Sequence, residues 1–223
     1  MIDKRMATLA EAVAGIKDGS TLLVGGFGSA GAPTELIHAV LDQGARDLVV
    51  VSNNAGVGTE GLAALMAARR VRRIVCSYPR SGGSVVFDEL YAKGEIELEL
   101  LPQGTISERL RCAAAGLGGY YSPVGVGTKL AGGKELREID GRTYVLEMPL
   151  RADVALINAY RADRWGNLIY RLSSRNFAPD MAMAADLTIV QTEGFVELGD
   201  LDPDNIHTPG IFVDRVVHVE KKA

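Results

Sequence analysis

Two kinds of apolar pattern alternate along this chain of 223 residues. Unbroken runs of strand length, rich in Val, Ile and Leu, occur at residues 21–24, 48–51, 74–77 and 187–191, as expected for parallel strands buried on both sides. Between them apolar residues return at helical spacing: Leu9, Val13 and Ile16, then Leu36, Ile37, Val40 and Leu41, then Leu62, Leu65 and Met66, with a further helix over 85–91. Strand and helix in alternation predict an α/β fold, a mostly parallel sheet with helices on both faces, in one domain spanning 1–223. The strictly alternating segment 95–100 sets Glu95, Glu97 and Glu99 on one strand face, which is read as solvated. Further strands are predicted at 143–147, 154–159 and 211–213. The glycine-rich stretch 116–133 is read as a loop, over the active-site side or at a subunit contact.

The first strand breaks at once into Gly25-Gly26-Phe27-Gly28-Ser29-Ala30-Gly31, and Pro33 then opens a helical pattern. Such a strand–loop–helix lets another molecule approach the main chain closely, and the helix start offers unpaired N–H groups that suit an anionic or carbonyl-bearing ligand. Gly26 to Gly31 also fits the G-x-G-x-x-G of dinucleotide sites. That reading needs an acidic residue at the end of the second strand, where this chain has Ser52-Asn53-Asn54. A tight turn that only seats a helix on a strand is the plainer alternative. Later, Thr105 and Glu108 have capping-box spacing, so a helix is predicted to begin there, with Gln103 in the loop before it.

A hydrophobic share of 47%, a charged share of 23% and a net charge of −4 are those of an ordinary globular chain, and they argue against nucleic-acid and anionic-membrane partners. The N-terminal residues lack a secretory or transit pattern, which points to the cytoplasm. Cys76 and Cys112 form no close pair, and Cys76 reads as a small buried hydrophobe. The three histidines have no metal spacing, so no metal site is expected. No G-x-S-x-G elbow favours a Ser-His-Asp hydrolase.

From Asp18 to Pro33 the residues follow a fixed pattern: Asp-Gly, two residues, three apolar residues, Gly-Gly-Phe, three residues, Gly, one residue, Pro. This resembles the signature of family I coenzyme A transferases at every fixed position. The likeness continues through Ser52-Asn-Asn-Ala-Gly56, Pro102-Gln-Gly-Thr105, Gly125-Val-Gly-Thr128, Asp163-Arg-Trp-Gly-Asn-Leu168 and Thr208-Pro-Gly-Ile-Phe-Val213. It is strongest to the A (α) subunits. The resemblance implies the fold group of the glucosamine-phosphate and ribose-phosphate isomerases. It also implies transfer of CoA from succinyl-CoA to a 3-oxo acid, 3-oxoadipate or else acetoacetate.

In that family a glutamate carboxylate forms a glutamyl-CoA thioester in a ping-pong reaction. Its Ser-Glu-Asn-Gly setting is absent here, and Thr59-Glu60-Gly61 is only a partial echo, so the nucleophile is expected in a B (β) subunit within an α2β2 assembly. By the same resemblance Gln103 is the expected oxyanion donor. The loop Gly25, Gly26, Phe27, Gly28, Ser29, Ala30, Gly31 is the expected CoA contact, and Asn53 and Asn54 would bind substrate. Arg80, in the Ser77-Tyr-Pro-Arg80 segment, would pair the acid's distal carboxylate, although a plain surface Arg is the commoner role. Coenzyme A would be a substrate, and no permanently bound cofactor is expected. A dinucleotide-dependent oxidoreductase and a non-catalytic binding subunit remain the alternatives of other classes.

Overall fold

The computed structural model describes residues 1–80 and 83–220. The first half runs β1 (Arg5–Met6), α1 (Leu9–Ala12), β2 (Thr21–Val24), α2 (Thr34–Gln43), β3 (Leu48–Val51), α3 (Leu62–Ala67), β4 (Val71–Cys76), α4 (Val85–Ala92), β5 (Glu97–Leu100) and α5 (Gln103–Ala114). It continues with β6 (Tyr120–Ser122), β7 (Leu136–Ile139), β8 (Arg142–Glu147), β9 (Ala152–Ala159), β10 (Arg161–Ala162), β11 (Leu168–Ile169), α6 (Ala178–Ala184), β12 (Ala185–Thr192) and β13 (Arg215–His218). Among the described residues the main sheet has eight strands in the order β1-β13-β12-β9-β2-β3-β4-β5. Every neighbouring pair in it is parallel.

Strand geometry sorts the core into two layers, because successive side chains point to opposite faces. Leu22, Val50, Leu156 and Ile74 join Leu36, Val40, Leu65, Met66 and Phe87 on the face covered by α1 to α4. Leu23, Val49, Val51, Ala155, Ile157 and Val75 join Ile106, Leu110 and Met181 on the face covered by α5 and α6. Helices therefore lie on both faces, as the unbroken apolar runs predict. Because the strands of the main sheet all run the same way, their C-termini gather along one rim, where ligands bind in open α/β sheets.

Several local expectations are corrected. The first helix ends at Ala12 rather than reaching Ile16, with Val13 as its C-cap. Helix α5 begins at Gln103, behind Pro102 with φ −56° and ψ 140°, and no side chain caps it. Thr105 is a buried residue inside the helix rather than its cap. The segment 211–213 is not a strand: Gly210–Phe212 is a 3-10 turn, and the strand follows as β13. The carboxylates of β5 are not merely solvated, since Glu97 and Glu99 both pair with Arg73 of the adjacent strand. Strands β6, β7 and β8 form a separate antiparallel sheet in the order β6-β8-β7, which takes in residues 143–147 and part of the glycine-rich stretch.

Candidate active site

Strands β2, β3, β4 and β5 are neighbours in that order, so the residues following each meet side by side on the rim. Phe27 and Gly28 follow β2, Asn53 and Asn54 follow β3, Ser77 and Tyr78 follow β4, and Gln103 follows β5. Together they line a hollow of about 380 Å³. A second hollow of about 210 Å³ shares Gly28 and Asn54 and extends over Ile37, Val57, Glu60 and Leu62.

The glycine loop is folded back on itself. The Phe27 N–H donates to the Ala30 carbonyl at 3.0 Å and the Ala30 N–H returns a bond to the Phe27 carbonyl at 3.2 Å. Gly28, the first residue between them, has φ +62°, the left-handed value that glycine takes without strain. Pro33 precedes α2 with φ −84° and ψ 62° and offers no side-chain cap. Instead Oε1 of the buried Gln191, from β12, accepts the Leu36 N–H at 3.0 Å, while its Nε2 donates to Glu35 at 2.7 Å and to Asn158 at 3.2 Å. One N–H of the helix start is thus satisfied from the far half of the chain.

The two asparagines are each 6% exposed, and their carbonyl oxygens are occupied. Asn53 Oδ1 accepts from Ser77 Oγ at 2.9 Å, and its backbone carbonyl accepts the Ser77 and Tyr78 N–H groups at 3.2 Å each. Asn54 Oδ1 accepts the Gly56 N–H at 2.8 Å. Their Nδ2 groups, and the Gln103 side chain, donate to no protein acceptor among the described residues. Three residues with uncharged amide side chains therefore line one hollow. Gln103 also opens a helix of 12 residues, whose unpaired N-terminal N–H groups carry partial positive charge. This electrostatics suits a carbonyl oxygen on which negative charge develops.

No carboxylate or cation is among the described residues that line the Gln103 hollow. Glu60 lines only the neighbouring hollow. Arg80 is outside both; its Nε donates to Asp88 Oδ1 at 2.7 Å in an exposed pair. Burial pushes the Cys76 thiol up to about 12, which leaves it an inert buried hydrophobe rather than a nucleophile. Among the described residues no cluster of His, Cys, Asp and Glu could hold a metal ion, and no helix is long and apolar enough to cross a membrane.

Sequence reading singled out Gln103, Asn53, Asn54 and the loop 25–31, and the fold brings Gln103, Asn53, Asn54, Phe27 and Gly28 together. It did not find Ser77 and Tyr78 as walls, Gln191 as a surrogate cap, or Asn176, whose amide reaches the loop at Gly26 and Ala30. Only an Asn before an aromatic residue and a Pro-containing helix start marks that last position in the sequence.

Residues 6–219 match the model of the coenzyme A transferase family. The A subunit of the 3-oxoadipate CoA-transferase of Pseudomonas putida is 60% identical over 223 residues, covering 100% of this chain and 96% of that protein. The A subunit of a probable succinyl-CoA:3-ketoacid coenzyme A transferase of Bacillus subtilis (strain 168) is 49% identical over 214 residues, covering 96% of this chain and 89% of that protein. Among solved structures, the acyl-CoA transferase YdiF of Escherichia coli O157:H7, a thioester complex with CoA, superposes with a TM-score of 0.85 at 25% identity. That match covers 100% of this chain, which spans 48% of the larger protein.

Proposed function

Because the chain belongs to the coenzyme A transferase family, we propose that it is the one-domain A subunit of an enzyme that moves CoA from succinyl-CoA to a 3-oxo acid, foremost 3-oxoadipate. The observation that carries this reading is a hollow lined by Asn53, Asn54 and Gln103, whose amide N–H groups are taken up by no described acceptor, with no carboxylate among the described lining residues. Such a surface stabilises charge on a carbonyl oxygen but cannot itself make the covalent bond. The attacking glutamate then belongs to a B subunit that covers the rim, in an expected α2β2 assembly. The relatives' designation as A subunits supports a second subunit.

In the first half-reaction that carboxylate adds to the thioester carbonyl of succinyl-CoA. The C–S bond breaks, and the CoA thiolate leaves from a mixed anhydride. The thiolate then attacks the glutamyl carbonyl, releasing succinate and leaving a glutamyl-CoA thioester. The same steps in reverse, with the 3-oxo acid as nucleophile, give 3-oxoacyl-CoA and restore the carboxylate. Each addition puts negative charge on a carbonyl oxygen, and Gln103 donates to it with support from Asn53, Asn54 and the start of α5. Gly28 allows the acyl-CoA to approach the backbone, since a side chain there would be held at positive φ. Arg80 is proposed as the guide for the distal carboxylate of a dicarboxylic acceptor, exchanging its bond to Asp88 for a forked pair with substrate. The cytoplasm is the proposed compartment, and two free buried cysteines accord with a reducing one.

The test is reconstitution. The purified chain alone is expected to be inactive with succinyl-CoA and either 3-oxoadipate or acetoacetate, and to gain activity with a glutamate-bearing B subunit. Full turnover by the rigorously purified single chain would overturn the division of labour.

A further inference from the structure

Asn176 holds a backbone conformation that amino acids with a side chain rarely adopt. Its φ of +28° and ψ of −124° lie outside the regions favoured by L-residues. At Gly61 the chain takes a similar conformation, φ 55° and ψ −124°, and uses glycine there. A strained residue with a retained side chain argues that the side chain does something glycine cannot.

What it does is visible in its bonds. Oδ1 accepts the Gly26 N–H at 3.1 Å and the Phe177 N–H at 2.7 Å. Nδ2 donates to the Ala30 carbonyl at 3.2 Å and to the Ser174 carbonyl at 2.9 Å. Gly26 is on the outgoing limb of the glycine loop and Ala30 on the returning limb, so one amide fastens both limbs to the 174–177 segment. The fit is close. A Cβ built on Gly31 would lie 2.5 Å from the Ser174 carbonyl oxygen and 2.8 Å from Asn176 Nδ2.

We propose that Asn176 is a positioning residue for the transfer reaction: its amide clamps the two limbs of the glycine loop in the conformation that receives acyl-CoA. This rests on the reading of that loop as the acyl-CoA contact. Free of the clamp, the hinged loop samples other conformations, and affinity falls in proportion to the competent fraction. Once ligand is bound the loop is in the same place, so the defect falls on KM more than on kcat.

The experiment compares Asn176→Gly and Asn176→Asp in the full chain, paired with the B subunit. Asn176→Gly suits the backbone conformation and so remains folded and assembled. Hydrogen exchange at the amides of residues 26–32 should quicken at least about tenfold, and KM for succinyl-CoA should rise about tenfold with kcat little changed, as for a loop competent one-tenth of the time. Asn176→Asp keeps the acceptor for Gly26 but turns a carboxylate oxygen toward the Ala30 and Ser174 carbonyls. Its KM, taken relative to wild type at each pH, should exceed that of Asn176→Gly near neutrality and fall as the carboxyl is protonated and regains a donor. A merely structural asparagine would not produce that pH-dependent recovery. Unchanged exchange in the loop, or an unchanged KM in assembled Asn176→Gly, overturns the proposal. If the wild-type pair fails to use succinyl-CoA, the functional reading falls, and the exchange measurement alone supports or refutes the clamp.

Discussion

Replacing Gln103 separates chemistry from folding because of where the residue sits. It is exposed, it opens α5, and its side chain carries no hydrogen bond to the described protein. Gln103→Ala removes no core volume and exchanges one good helix former for another, so stability should move by no more than about 0.5 kcal/mol. Gln103→Glu goes further, since a negative side chain in the first turn of a helix is favourable by about 0.3–1 kcal/mol. Thermal unfolding should therefore show Gln103→Glu at least as stable as wild type. Turnover should move the other way. Losing one oxyanion donor costs on the order of 10²–10³ in kcat, and the glutamate adds an ionised acceptor facing the developing charge, so its loss should be at least as large. Rapid-quench measurement of glutamyl-CoA thioester formation, on assemblies shown intact by gel filtration, isolates the first half-reaction. Wild-type rates in both variants would refute the oxyanion role and leave Gln103 as a helix-start residue only.

Two further predictions draw on other parts of the molecule. Arg80→Ala should lower the preference for 3-oxoadipate over acetoacetate and Asp88→Ala, which frees the guanidinium, should raise it; kcat/KM ratios that stay constant in both remove Arg80 from the site. Burial lowers the pKa of His207 below its ordinary 6.5, with the Arg175 charge as a lesser cause, and its Nδ1 accepts the Tyr170 N–H at 2.9 Å. Below about pH 6.5 the unfolded chain then binds the extra proton, so this contribution to stability is present above that pH and lost as pH falls. Denaturant titrations of wild type and His207→Gln between about pH 5 and 7 should converge at the acid end, and parallel curves would refute the assignment.

The architecture was legible where local pattern and tertiary placement agree. Residues 48–51 are apolar throughout, which only a strand covered on both faces can bury, and all four are buried between two helical layers. The glycine loop was legible for a similar reason: its backbone demands left-handed φ at Gly26, Gly28 and Gly31, and few other residues meet them without strain. Where a contact from afar decides, the reading failed. Residues 211–213 have strand composition, yet the chain turns at Gly210, where a Cβ would collide with the Trp165 carbonyl, and Ile211 is left 81% exposed. Thr105 and Glu108 have capping spacing, but Pro102 already sets the extended conformation that a cap residue needs, one turn-step earlier.

The site divides along the same line. Gln103, Asn53 and Asn54 each follow a strand whose neighbours could be ordered from a parallel α/β pattern, so their convergence on one rim follows from topology. The groups that hold the loop do not follow from it. Gln191 reaches Leu36 across 155 positions of sequence, and Asn176 reaches Gly26 across 150. Neither amide belongs to a spacing rule, because each answers a backbone N–H that local structure leaves over: that of Leu36 at the start of a helix behind a proline, and that of Gly26 just outside the Phe27–Ala30 pairing of the loop. A residue of that kind becomes recognisable only once the orphaned N–H has been located, so the supports of a glycine-rich site are to be sought by tracing each loop amide to its acceptor.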